Sequence, residues 1–81
     1  MPIDVGPRII ELVERLYAPV GMKVTAGTML FDDLHLDSLR FVELVMDVEY
    51  DFSVEVPNER TSEFRAVGDL IDFVKANKWW A

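Results

Sequence analysis

Apolar residues recur at helical spacing in three parts of the chain, most clearly between residues 38 and 52. In this stretch they stand at Leu39, Val42, Val45, Met46 and Phe52. Charged residues occupy the other arc, so the pattern predicts an amphipathic helix with those five residues turned inward. Asp37 precedes the helix as its expected N-cap, which places Ser38 at the first helical position.

The same spacing predicts a helix towards each end of the chain. The first runs from about Pro7 to Tyr17 and is capped by either Asp4 or Gly6. Its apolar stripe consists of Ile9, Leu12, Val13 and Leu16. The last helix runs from about Val67 to Ala76, and its inward residues are Val67, Leu70, Ile71 and Val74.

The connections between these helices differ in length. Residues 18–36 form a long loop, for which the expected anchors are Leu30, Phe31, Leu34 and Leu36. Residues 53–56 alternate apolar with polar, but no partner strand is evident, so an extended connector ending at Pro57 is predicted. A short third helix over Asn58–Phe64, capped by Asn58, completes an all-α chain of four helices in one domain, residues 1–81.

Composition restricts the function. With 81 residues there is room for one small core and none for a separate catalytic domain. The chain has no cysteine and one histidine, which excludes disulfides and argues against a zinc site. No stretch approaches ~20 apolar residues and the N-terminus lacks signal-peptide features, so we expect a cytoplasmic protein without a membrane span.

The excess negative charge is confined to the middle of the chain. Residues 32–60 contain nine acids and two arginines, which accounts for the whole net charge of −7. Such a field disfavours nucleic acid and anionic membranes, and it steers basic protein surfaces towards Ser38. The alternative interpretation is a solvated helix face that aids solubility.

Ser38 is the candidate for chemistry. A hydroxyl at the start of a helix is well placed to carry a phosphate, because free backbone N–H groups and the positive end of the helix dipole face it. The alternative is an ordinary helix cap. A hydrolase triad with His35 and Asp37 is disfavoured, since no Gly-x-Ser-x-Gly elbow is present. Asp32, Asp33 and Asp37 lack the spacing of a calcium loop.

The central stretch resembles the acyl carrier protein family. The resemblance lies in Asp37-Ser38-Leu39 after Leu34 and Leu36, in Val42 to Met46, in Phe52 and in Val56-Pro57. It implies a four-helix bundle with a short third helix, and it implies that Ser38, beside the capping Asp37, carries 4′-phosphopantetheine through a phosphodiester. It further implies a non-catalytic protein that holds an acyl group as a thioester on that arm.

The resemblance also implies partners and their contact surface. They are a phosphopantetheinyl transferase, an acyl-loading ligase or transferase, and downstream synthase enzymes that meet a monomeric carrier at the second helix. The expected contact residues are Leu39, Arg40, Phe41, Glu43, Leu44, Asp47 and Glu49. Phe41 and Leu44 lie off the apolar stripe, so flanking the core is the alternative for both. A cleft lined by Val42, Met46 and Val67 is a candidate shelter for the acyl chain.

Three positions depart from the family pattern. His35 stands where glycine is common, so we expect the loop to lack a residue with positive φ there and to change its conformation. Arg40 reverses part of the charge near Ser38. Arg65-Ala66 replaces the usual serine or threonine cap of the last helix, a loss of about 0.5–2 kcal/mol.

Three functions remain open at this point. The first is a carrier for fatty acid or polyketide synthesis, and the second is a specialised aminoacyl or aryl carrier that works with an adenylating ligase. The third is an acidic interaction module in which Ser38 is never modified. Trp79-Trp80 either fold back onto the bundle or bind a partner.

Overall fold

The computed structural model describes residues 4–77. It contains four helices: α1 (Val5–Leu16), α2 (Ser38–Phe52), α3 (Asn58–Thr61) and α4 (Val67–Asn77). Within the described residues the only β pairing is an isolated antiparallel bridge between Met29 and Ala66. The all-α prediction is therefore confirmed, whereas the predictions for Trp79 and Trp80 lie outside the described residues.

The core lies where α1 and α4 pack against each other, and the buried side of α2 belongs to the same apolar cluster. Ile9 and Val13 of α1 and Val67 of α4 are fully buried, as their spacing predicts. Val54 and Val56 are buried as predicted for the extended connector, and Phe64 is buried as well. No helix among residues 4–77 is long and apolar enough to cross a membrane.

The predicted inward face of α2 was largely wrong. The helix buries Leu44, Val45, Val48 and Phe52. Leu39, Val42 and Met46 keep 69%, 50% and 58% of their surface exposed. The error has a physical reason, because α2 has apolar residues on two opposite sides and the spacing alone does not indicate which side meets the core.

The ends of the short elements also differ from the predictions. Leu16 is exposed at the end of α1, and Asp4 is the N-cap of that helix without a side-chain capping bond. In α3 the N-cap is Pro57 rather than Asn58, and the helix ends at Thr61, three residues before the buried Phe64.

The long loop is anchored to the first turn of α4 and to the segment that precedes it. Leu30, Leu34 and Leu36 are buried as predicted, but Phe31 is 44% exposed. Leu30 N donates to Arg65 O at 2.8 Å, and Gly68 N donates to Ala26 O at 2.8 Å. These backbone bonds fix the loop that leads into Ser38, so a long connection is rigidly held in a small domain.

The first turn of α4 is capped from inside the helix. Asp69 Oδ2 accepts from the backbone N–H groups of Arg65 at 2.8 Å and of Ala66 at 3.0 Å. These two bonds hold the pKa of Asp69 below its usual value. The predicted loss of a cap at Arg65-Ala66 was wrong, because an acid at the third helical position reaches back to the start.

Candidate functional site

Ser38 occupies the first position of α2 and is exposed. Asp37 is the N-cap, and its Oδ1 accepts from the backbone N–H of Arg40 at 2.8 Å. The predicted capping role of Asp37 is therefore confirmed. An exposed hydroxyl here lies beside the remaining N–H groups of the first turn and at the positive end of the helix dipole, an arrangement that stabilises an anion.

A groove of about 360 Å³ opens next to the serine. Ser38, Val42 and Met46 line it from α2, and Val56, Thr61 and Phe31 line it from the other elements. Val67, which the sequence placed in such a cleft, is fully buried and does not line it. Because most of these side chains are apolar, the groove suits an apolar group tethered at Ser38.

His35 adopts the left-handed conformation, with φ of 55°. The expectation that the loop would avoid positive φ was wrong. Its backbone is held on both sides, because His35 N donates to Phe31 O at 3.1 Å and Leu36 N donates to Leu30 O at 3.2 Å. The loop before Ser38 therefore reaches a left-handed conformation without a glycine. Because His35 has a Cβ, its backbone is strained there.

The acids Asp47 and Glu49 of α2 have hydrogen-bond partners within the protein. Asp47 accepts a hydrogen bond from the Tyr17 hydroxyl. Glu49 Oε2 accepts from Val56 N at 2.7 Å and so fixes the connector after α2. Both residues were predicted to bind partner proteins; the structure adds a role in positioning α2 and its neighbours.

Arg40 also bonds within the protein. Its Nη2 donates to Leu16 O at 2.9 Å, at the carboxyl end of α1. Its guanidinium lies 4.8 Å from the centre of the Tyr17 ring and 3.9 Å from Glu43. Arg40 therefore joins α1 to α2, in addition to placing a positive charge near the serine.

The side of α2 opposite its buried face presents an apolar row, called here the outer stripe. It consists of Leu39, Val42, Met46 and Tyr50. Leu44 is fully buried, which removes it from the predicted contact surface, and Phe41 is half-buried with its ring 5.2 Å from that of Phe31. The sequence analysis missed Tyr50, although its spacing of four from Met46 continues the row.

Comparison with known proteins identifies relatives over almost the whole chain. A family model described as "Phosphopantetheine attachment site" matches residues 8–74. Proteins named "Acyl carrier protein" from two strains of Porphyromonas gingivalis are each 34% identical over 74 residues, which is 91% of this chain and 95% of theirs. The crystal structure of an acyl carrier protein from Thermotoga maritima superposes with a TM-score of 0.68 at 30% identity, covering 86% of this chain and 81% of that one.

Proposed function

Because the chain belongs to the acyl carrier protein family, we propose that its 4′-phosphopantetheine is attached to the hydroxyl of Ser38. Proteins of this family are non-catalytic carriers. The observation that carries the assignment is the position of Ser38, exposed at the amino end of α2 and at the mouth of an apolar groove. The attached arm supplies the thiol that binds an acyl group, since the chain has no cysteine.

The residues around Ser38 suit a phosphodiester. Asp37 is already bonded to Arg40 N, so its carboxylate stabilises the helix start and leaves the serine free. The first-turn N–H groups and the helix dipole offset the phosphate charge. Val42 and Met46 offer an apolar surface beside the attachment point, which lowers the exposure of an apolar acyl chain carried by the arm.

The outer stripe is our proposed contact surface for the transferase, the acyl-loading enzyme and the downstream synthases. An exposed apolar row next to the attachment point is unfavourable in water and favourable when covered by a partner. Glu43 and Asp47 flank it and add a charged rim that favours basic residues on the partner. Five of the seven predicted contacts are retained, namely Leu39, Arg40, Glu43, Asp47 and Glu49. The buried Leu44 and the half-buried Phe41 are left out. We propose that the carrier acts as a monomer.

Intact-mass spectrometry tests the attachment. The protein is incubated with coenzyme A and a broad-specificity phosphopantetheinyl transferase, alongside Ser38→Ala and the matched variant Ser62→Ala. We expect one phosphopantetheine on the wild type and on Ser62→Ala, and none on Ser38→Ala. Loading of a folded Ser38→Ala variant would refute the assignment, and no loading of any variant would favour the unmodified interaction module.

The kind of enzyme that acylates the loaded protein then distinguishes the two classes of cargo. Acylation of the loaded protein by an adenylating ligase with an amino acid or aryl acid would identify a specialised carrier. Acceptance of a fatty or polyketide acyl group by a ketosynthase would identify the other class.

A further inference from the structure

The strained residue before the serine has an unused side chain. His35 is exposed, and its imidazole makes no hydrogen bond or ion pair with any residue in the described range 4–77. A glycine would take the same backbone conformation without strain. Strained residues persist where their surroundings fix them, and they cluster at functional sites.

The surroundings of His35 do fix its conformation. Leu34 and Leu36 on either side are buried, so the chain cannot rotate at His35 without pulling one of them from the core. The same arrangement directs two apolar side chains inward and leaves the one between them at the surface. His35 is therefore held at a defined place three residues before Ser38.

The charged residues around Ser38 in the sequence make the position of His35 significant. A phosphodiester on Ser38 adds a negative charge beside Asp32, Asp33 and Asp37. Between residues 32 and 43 only His35 and Arg40 can carry positive charge. Arg40 is bonded to Leu16 O and lies over the Tyr17 ring, which leaves His35 as the basic side chain of this segment without a partner among residues 4–77.

We propose that His35 is a phosphate-binding residue, whose imidazolium donates an N–H to a non-bridging oxygen of the phosphodiester on Ser38. Three residues span at most about 11 Å between Cα atoms, a gap that the imidazole and the ester-linked phosphate reach across together. The contact forms when the imidazole is protonated and weakens as it loses its proton. Asp32, Asp33, Asp37 and Arg40 are the charged residues nearest to His35 in the sequence. This inference rests on attachment at Ser38.

The chain is well suited to a direct test, because it has one histidine and its loaded form has one phosphorus atom on the protein. The imidazole is titrated by ¹H NMR in the unloaded and the loaded protein. The ³¹P resonance of the loaded protein is followed over the same pH range in the wild type and in His35→Asn. Asparagine tolerates the left-handed conformation and has no proton to lose here, so the fold is kept.

We expect loading to move the midpoint of the imidazole titration to higher pH by about 0.2–0.7, the size of an exposed ion pair. The ³¹P shift should follow that midpoint in the wild type and stay constant in His35→Asn. An unchanged imidazole midpoint on loading, or a ³¹P titration that persists in His35→Asn, would overturn the proposal. Intact mass confirms loading beforehand, so failure of attachment at Ser38 is recognised separately.

Discussion

The Tyr17 hydroxyl donates a hydrogen bond to the carboxylate of Asp47, and this bond joins the end of α1 to the middle of α2. Arg40 lies over the same ring and bonds to Leu16 O. Burial and the bond to Asp47 raise the pKa of Tyr17 above its ordinary value. One aromatic residue therefore fixes the orientation of the helix that presents Ser38.

Tyr17→Phe removes this hydroxyl and leaves the ring under Arg40. We expect a loss of about 1–2 kcal/mol in the free energy of unfolding, because the bond is to a charged acceptor that stays partly exposed to water. Urea unfolding at pH 7 measures it. Tyr50→Phe is the control, since Tyr50 is 91% exposed and should change stability little. Equal stability of the two variants would show that the bond contributes nothing.

The same bond predicts an alkaline dependence. A pKa that is raised in the folded state means that the stabilisation is complete below the ordinary tyrosine pKa and is lost as the pH rises towards the folded value. The difference in stability between wild type and Tyr17→Phe should therefore be constant at neutral pH and shrink above about pH 10. A constant difference up to pH 11 would contradict this.

Asp69→Asn tests the cap of α4. The two backbone bonds lower the pKa of Asp69, so its stabilisation is present above the ordinary aspartate pKa and is lost as the pH falls below it. We expect a loss of about 0.5–1 kcal/mol at pH 7, since the site is only partly buried, and a smaller loss near pH 3. Asp72→Asn, also on α4, is the matched control; an equal effect there would argue against capping.

His35→Gly should stabilise the protein before loading. Relief of the left-handed strain is worth about 1–2 kcal/mol, and the extra flexibility of glycine in the unfolded chain removes about 0.5–1 kcal/mol of it. Ser53, with φ of 54° at the end of α2, should respond in the same way to Ser53→Gly. Thermal unfolding measures both. Ser62→Gly, at φ of −68°, should not stabilise, and a gain there would mean that strain is not the cause.

Gly68→Ala should destabilise the protein although alanine favours helices. A Cβ at this position would lie 3.0 Å from the carbonyl oxygen of Ala26, to which Gly68 N also donates. Relief requires the loop to move away from α4, so we expect a loss of about 1–3 kcal/mol in the free energy of unfolding. Ala76 is exposed on the same helix, and Ala76→Gly should lower stability by only about 0.5–1 kcal/mol.

The sequence predicted the helices well and the orientation of α2 poorly. In α1 and α4 one side is apolar, so spacing identifies most of the buried residues, although it includes the exposed Leu16 and leaves out Val5 and Phe73. In α2 the outer stripe is as apolar as the buried face, and the choice between Leu39 and Leu44 depends on tertiary packing. When the exposed side of a helix is also apolar, its two sides no longer differ enough in polarity for spacing to identify the buried one.

Two local features, the cap of α4 and the helix start at Ser38, could be predicted from the sequence. An acid three residues after Ala66 is half of a capping box, and it indicates that α4 has a cap without serine or threonine. The left-handed His35 is harder to predict, because its conformation follows from the burial of Leu34 and Leu36 rather than from its own preference. The exposed position of Ser38 at the start of α2 was predictable because Asp37 marks the helix start in the sequence.

The outer stripe also limits the solubility of the protein at acidic pH. At neutral pH the net charge of −7 keeps copies apart while the stripe is uncovered. The sequence has an isoelectric point of about 4.4, where this repulsion vanishes. Mild acidification should therefore cause self-association through the stripe before the fold is lost, and a polar substitution such as Met46→Gln should restore solubility.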